Sequence, residues 1–371
     1  MTVILLSTIL LGSGLIVKRS KLIFIVSIIF LWLLMTFTYG NADEPVYLSR
    51  YNSPELWTNS TEYLFQAIIN VSRNFGLSFI AFKGIVSTIE IALIGKTVWR
   101  FSKYPNVVLL LYFFTSFAYN VTQIRFALAS SIFIYSLQYL FTKNTMIDKR
   151  RIILSTNECK FIIGILIASF IHASAILWLI LLVAKKSSIK VTIVITIIFN
   201  LLILFSISSN FISSIFQSFG SENRMSAYLS EAYQNSSFRI LGQMKLVLFA
   251  AFFEIIICML ILKNRAYFKD ICQIKLLTKL NIIILIILGI MLRYTAEVYR
   301  LQESLFLVNY IFLLNTIPSD SFIKSKTKVP IFFIEGLIVI MVIGISYLEL
   351  FSSANFITVW KPIFFNNLLF N

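Results

Sequence analysis

The sequence is short of charge and nearly devoid of metal-binding chemistry. Of its 371 residues only 13% are charged, whereas 58% are hydrophobic. A soluble domain of this size carries roughly a quarter charged residues. Mean hydropathy is +0.88, so the chain cannot keep most of its surface in water, and no polar stretch is long enough for a separate soluble domain. One histidine excludes a zinc site on the usual His-rich plan. The three cysteines, Cys159, Cys258 and Cys272, lack CxxC or Cys/His spacing and read as free thiols. There is no Pro-rich linker, internal repeat or low-complexity tract. Gly95–Lys96–Thr97 ends like a P-loop, but Glu90 stands where that loop needs glycine. No cofactor and no metal is implied.

What is present is apolar sequence, in runs at about 3–17, 22–38, 77–98, 106–119, 122–141, 189–208, 243–263, 278–294, 299–317 and 330–350. A helix needs roughly 20 residues to cross the hydrocarbon core. In lipid the backbone must satisfy itself, so runs that do not alternate in hydropathy must be helices rather than barrel strands. The expected fold is an all-α polytopic integral membrane protein, residues 1–371 forming one membrane domain with about 10 clear transmembrane helices. Lys18, Arg19 and Lys21 follow the first run instead of preceding it. That reads as a retained span with its N-terminus outside, the reverse of a signal peptide.

Charge decides the one ambiguous stretch, 161–184. As a single crossing it would send Lys185, Lys186, Lys190 and the Lys-rich loops near 263–279 and 318–329 outside. As a broken-helix hairpin turning near His172 it returns them, with the loop near 142–160, to the cytoplasm. About 12 crossings result, and only ten of the 32 Lys and Arg are left outside. The net charge of +16 is then topology rather than a nucleic-acid signature. Two polar outer loops follow, 39–76 and 209–240. The first should end in an amphipathic helix at 62–75, with Tyr63, Phe65, Ile68, Ile69 and Ser72 on one face. The tail at 351–371, with Trp360, should lie along the outer interface.

Seven of the ten outer basic residues are arginine, suited to bidentate contacts with phosphate or carboxylate. Arg73, Arg239 and Lys361 read as snorkelling side chains. Arg125 lies inside an apolar helix start, and Arg293 and Arg300 flank Glu297, with Glu303 beyond. A charge in a membrane costs at least about 2.5 kcal/mol and is normally paired or functional. This group is either a buried Arg–Glu ladder or a ligand site. His172 sits at the hairpin break, where a ring titrating near neutrality lines a cavity. In the first outer loop Asp43 precedes Tyr47 and Tyr51, and Glu62 opens the interfacial helix. These residues suit hydrogen bonding to and stacking on sugars, while Glu44 and Glu55 read as ordinary solvated positions.

Together these features resemble the EpsG family, the Wzy-like polymerases of bacterial exopolysaccharide and capsule. They run in family order: Asp43 with Tyr47 and Tyr51, Glu62–Tyr63 leading into Gly76–Leu77–Ser78–Phe79, the Ile124–Arg125 helix start, His172–Ala173–Ser174–Ala175, and Arg300–Leu301. Phe126 stands where the pattern has a polar residue. The resemblance implies a multi-pass protein of the bacterial plasma membrane. It would perform metal-independent transfer of a growing glycan from polyprenyl diphosphate to a lipid-linked repeat unit, beside other polysaccharide-assembly membrane proteins. It gives Arg125, Arg293 and Arg300 the diphosphate, with Arg224 as an outer-loop helper, His172 or Asp43 the role of base, and Glu62 that of positioning sugar. A flippase of lipid-linked oligosaccharide and a ligase-like glycan transferase or acyltransferase remain alternatives.

Overall fold

The computed structural model describes residues 2–57, 62–142, 154–205, 237–267, 271–293, 296–317, 328–350 and 356–370. Arg224, most of the expected outer loop at 209–240 and parts of the three basic loops lie outside them. Among the described residues there is no β-strand, only an isolated bridge between Thr38 and Asn367.

Helices α1 (Thr2–Ile16) and α2 (Lys21–Phe37) form a first antiparallel pair. At the turn after α2, Gly40 adopts φ +74°, a conformation glycine tolerates without strain. Short α3 (Glu44–Asn52) and the amphipathic α4 (Tyr63–Asn74) follow. As expected, α4 buries Phe65, Ile69 and Ser72. Tyr63, however, is 62% exposed and belongs to the outward face, because helical spacing from Phe65 carries it round the axis. Ser78 caps α5 (Phe79–Phe101), and α6 (Pro105–Tyr112) leads through a π-helical turn, Phe113–Phe117, into α7 (Ala118–Thr122). Next come α8 (Ile124–Ser136) and its extension α9 (Gln138–Phe141).

The chain then reverses as the charge pattern required, over a longer stretch. Helix α10 (Thr156–Ile171) ends at His172, and a 3₁₀ segment, Ala173–Ile180, returns into α11 (Leu181–Lys186). The proof of reversal is at the base, where Lys185 lies 3.6 Å and Lys186 3.9 Å from the two oxygens of Glu158. Glu158 also closes a capping box with Ser155. Burial, the largest influence, pushes its carboxyl upward, but the Ser155 amide, Lys185 and Lys186 together hold it below the usual range. A group lowered in the folded state stabilises above its unfolded value, about 4.3, and loses that contribution as pH falls through the folded value. Glu158→Gln should therefore melt below the wild type in detergent at pH 7, by about 1–3 kcal/mol of lost pairing. The gap should close by pH 3; a gap constant with pH would remove Glu158 from this role.

Helix α12 (Ile189–Phe205) packs on α14 (Ile271–Ile283) and its continuation α15 (Ile287–Arg293), while α13 (Ser237–Lys263) lies between α14 and α17 (Ile331–Leu350). Close approach needs small residues, as is usual where helices pack in lipid. A Cβ on Gly289 would come within 2.8 Å of Asn200, whose side chain accepts the Gly289 amide. Helix α16 (Arg300–Thr316) is buried along most of its length in the centre. The chain closes with a π turn, Phe356–Trp360, and α18 (Lys361–Phe365). This tail is anchored on one side and open on the other: Phe356, Ile357, Phe365, Leu368 and Leu369 are exposed. Trp360 is 1% exposed against Phe113 and Phe364, and residues 366–368 pair backbone-to-backbone with 37–39.

The bundle has two distinct ends. At the basic end, Arg19 donates to the Ser102 carbonyl, Lys103 to that of Ile317, and Lys279 to those of Lys185 and Ser187. The far end gathers residues 38–57 and 62–76, His172, Arg293 and the tail. Among the described residues, four stretches are long and apolar enough to cross a membrane: Ile124–Phe141, Leu241–Lys263, Ile271–Arg293 and Ile331–Glu349. Other expected spans are shorter helices of 15–17 residues, such as α1, α2 and α12. Helix α5 has the length but carries Lys83, Glu90, Lys96 and Arg100. Large apolar side chains remain exposed on many helices, among them Leu5, Ile163, Leu202 and Ile343. Helices apolar both inside and outside the bundle are those of a membrane protein.

Candidate functional site

The far end is organised around three ionic centres. In the first, the Asn41 side chain accepts the amides of Asp43 and Glu44, which starts α3. Glu44 is not solvated: it accepts from the Gly40 amide and pairs with Lys83 at 3.2 Å. Lys83 is 2% exposed and also donates to the Thr38 carbonyl. Membrane-facing α5 is thereby tied to the turn after α2. Asp43 is half-buried at the head of the same helix.

One turn along α3, the second centre begins at Tyr47. Its ring packs edge-to-face on Phe65 of α4, and its hydroxyl accepts from Arg125 Nε at 3.4 Å. Glu62, at the head of α4, grips the Arg125 guanidinium in a salt bridge. Both partners are buried, Arg125 to 8% exposure and Glu62 to 4%. Tyr51, also buried, donates to the Leu77 carbonyl at 2.8 Å and rests on Phe79 and Phe82. Three candidates far apart in sequence, Tyr47, Glu62 and Arg125, therefore meet in one contact.

Phe126 leaves α8 on a different side from Arg125. It meets the His172 ring edge-on, at 5.5 Å, and lies 5.9 Å from Trp178. His172 caps α10, with Nδ1 2.9 Å from the Ser174 hydroxyl. The His-x-Ser part of the sequence pattern is thus a local hydrogen bond that holds the ring at the turn.

The third centre is the start of α16. Ser130 and Ser304 bond hydroxyl to hydroxyl at 2.9 Å, and Phe141 stacks on Phe312 at 3.9 Å. These contacts set α8 and α16 parallel and in register, so the first turns bearing Arg125 and Arg300 lie level. The helix start at α8 follows a non-helical Gln123, where the dipole favours anions, whereas α16 continues directly from the 3₁₀ turn Ala296–Tyr299. Arg293 behaves differently. It closes the described part of α15, and a 3₁₀ turn, Ala296–Tyr299, runs directly into α16; residues 294–295 lie outside the described residues. Its guanidinium instead donates to the carbonyls of Ile203 and Leu204, both at 2.9 Å, closing the end of α12.

Glu303 belongs to the Arg–Glu group read from the sequence, whereas Glu90, Glu254 and Glu349 were not read there as site candidates. Glu90, Glu254, Glu303 and Glu349 are at most 2% exposed, all within helices. The signal was there for three of them: Ile89–Glu90–Ile91, Phe253–Glu254–Ile255 and Leu348–Glu349–Leu350 each set one carboxyl in an apolar run. Lys83 with Glu44 was invisible because the two are 39 residues apart.

The family model of the EpsG family matches residues 21–361, nearly the whole chain. No curated protein and no solved structure matches.

Proposed function

The chain belongs to the EpsG family, whose members are polysaccharide-polymerase-type membrane proteins, and from that premise we propose that it polymerises oligosaccharide repeat units. The growing glycan would leave a polyprenyl diphosphate and pass to a lipid-linked repeat unit at the outer face of the bacterial plasma membrane. The basic end is then cytoplasmic by the positive-inside rule, and the chain is multi-pass with the hairpin at 161–184 contributing two crossings.

The observation that carries this reading is that Arg125 and Arg300 both stand in the first turns of two helices that pack in parallel. Glycosyl transfer from a diphosphate needs positive charge where the leaving group departs and a base for the attacking hydroxyl. Arg300, half-buried beside the edge-to-face rings of Tyr119 and Tyr299, takes the departing diphosphate. Arg125 joins it when Glu62 exchanges its ion pair for phosphate. Arg293 contributes through the ends of α12 and α15, and Arg224 from its loop. His172 and Asp43 are the candidate bases. Asp43 stands in the loop that Tyr47 and Tyr51 organise, and His172 lies across the Phe126 ring from α16.

A second reading, a flippase of lipid-linked oligosaccharide, draws on Glu90 and Glu254, since charged groups deep in helices mark transport paths. The test is deletion in the host, complemented by wild type or by Arg300→Ala. The polymerase reading expects long polymer to vanish on deletion while single lipid-linked repeats remain outside. Arg300→Ala, present in the membrane at wild-type level, should restore none of the polymer. Repeats stranded on the cytoplasmic side would instead make the protein a flippase, and normal chain length in the variant would remove Arg300 from the site.

A further inference from the structure

At the basic end of the bundle, cations from two helices converge on a third. Helices α5 and α10 both pack along α8 and its extension α9. From α5, Lys96 lies over the Tyr135 ring, its ammonium 5.3 Å from the centroid, and Arg100 donates to the Gln138 side chain at 3.3 Å. From α10, Lys160 lies over the Tyr139 ring at 5.8 Å. Tyr135 and Tyr139 stand four residues apart, so they are neighbours on one helix face, about 5–6 Å apart between Cβ atoms. The three charged groups therefore share one patch, and all three are exposed.

Their charge is uncompensated among the described residues, where the ion pairs are Lys83–Glu44, Arg125–Glu62 and Glu158 with Lys185 and Lys186. Glu158 precedes Lys160 by only two residues, yet its carboxyl is taken by the returning lysines of the hairpin. Like charges gathered without a counter-ion repel, and an arriving anion removes that cost. Snorkelling alone carries each charged head separately to water. Here ring faces hold two ammoniums over neighbouring positions, and the guanidinium is bonded beside them.

Away from the basic end, the same two helices turn apolar side chains outward in line with these cations. On α5, Ala92, Ile89 and Ile85 recede from Lys96 at helical spacing; on α10, Ile163, Ile167 and Phe170 recede from Lys160. All six are exposed. Each stripe runs about 15–17 Å along its helix at 1.5 Å per residue. That is the depth of one leaflet of a hydrocarbon core about 30 Å thick. It fits the acyl chains of an ordinary phospholipid, whereas a polyprenyl chain is longer than the stripe.

We propose that this patch is the headgroup site of an anionic phospholipid of the surrounding leaflet, its phosphate held by Lys96, Arg100 and Lys160 and its acyl chains lying on the two apolar stripes. Basic recesses between membrane helices take anionic headgroups in this way, and the guanidinium adds a bidentate contact to phosphate oxygens. The site stands at the opposite end of α8 from Arg125 and is independent of the roles proposed there. A lipid seated in it ties α5 to α10, whose far ends carry Lys83 and His172.

The test titrates full-length protein in phosphatidylcholine nanodiscs with acyl-labelled phosphatidylglycerol. Wild type should prefer it to labelled phosphatidylcholine by about 100-fold, roughly fivefold for each cation beside an anionic headgroup. Arg100→Gln alone should lose about fivefold of that preference, and Lys96→Gln/Arg100→Gln/Lys160→Gln nearly all of it. Lys18→Gln/Lys190→Gln/Lys263→Gln removes the same charge from exposed positions at the same end and should keep the preference. Lys96→Arg/Lys160→Arg retains the charge and should bind like wild type, which separates lost charge from misfolding. Equal loss in the two triple variants, or no preference in wild type, overturns the site in favour of general surface attraction. Displacement of the labelled lipid by equimolar polyprenyl diphosphate assigns the patch to the lipid carrier and overturns the phospholipid assignment.

Discussion

Arg125→Ala should reduce polymer formation by roughly 100- to 1,000-fold, the usual cost of removing one charged donor from a preorganised site. The argument starts from the burial of this guanidinium. Arg125 is 8% exposed at the start of an apolar helix, yet it is held by Glu62 and Tyr47 rather than left to snorkel. A buried ion pair of this kind rarely stabilises a fold more than a packed apolar pair of the same volume would. Its persistence points to use, and Glu62 keeps the guanidinium aimed until phosphate replaces it.

The single substitution alone would be ambiguous, because it also strands the Glu62 carboxylate. The double variant Glu62→Ala/Arg125→Ala removes both charges and should recover membrane abundance without recovering polymer. Arg125→Lys should remain strongly impaired, since an ammonium cannot make the bidentate contact. Glu62→Gln should keep measurable activity, because the arginine survives. Full polymer from the double variant would make the pair purely structural, and the site would then rest on Arg300 alone.

The largest stability effect should come from Lys83→Met. The Lys83 ammonium is buried, pairs with Glu44 at 3.2 Å and reaches the Thr38 carbonyl. Removing it leaves a carboxylate uncompensated and a carbonyl without its donor. Breaking one partner of a buried pair costs about 3–5 kcal/mol, enough to lower the melting midpoint in detergent clearly. The loss should be local in origin, since Glu44 also holds the Gly40 turn and the tail residues bonded beside it. Lys83→Met/Glu44→Gln should regain most of the midpoint, because the stranded charge is gone. A single variant that melts like wild type would show that this tie does not hold the far end together.

Much of the architecture is legible in the chain because it depends on one-dimensional quantities. Apolar run length and the placement of Lys and Arg are enough to read an all-helical membrane protein, and even the reversal at His172. Lysines at 185 and 186 have to return to the end that carries Glu158, whatever the packing. Ser155 and Glu158 likewise announce the start of α10 within four residues. The arginine at the head of α8 and the EpsG pattern around it are local too, and the EpsG family model matches residues 21–361. What tertiary structure alone decides is partnership. Glu62 and Arg125 are 63 residues apart, Glu44 and Lys83 are 39 apart, and Ser130 and Ser304 are 174 apart. No periodicity encodes which of several arginines takes which carboxylate, because that choice depends on how helices rotate and rise against one another. The same holds for Arg293, whose spacing to Glu297 suggested a ladder but whose guanidinium donates to the carbonyls at the end of α12.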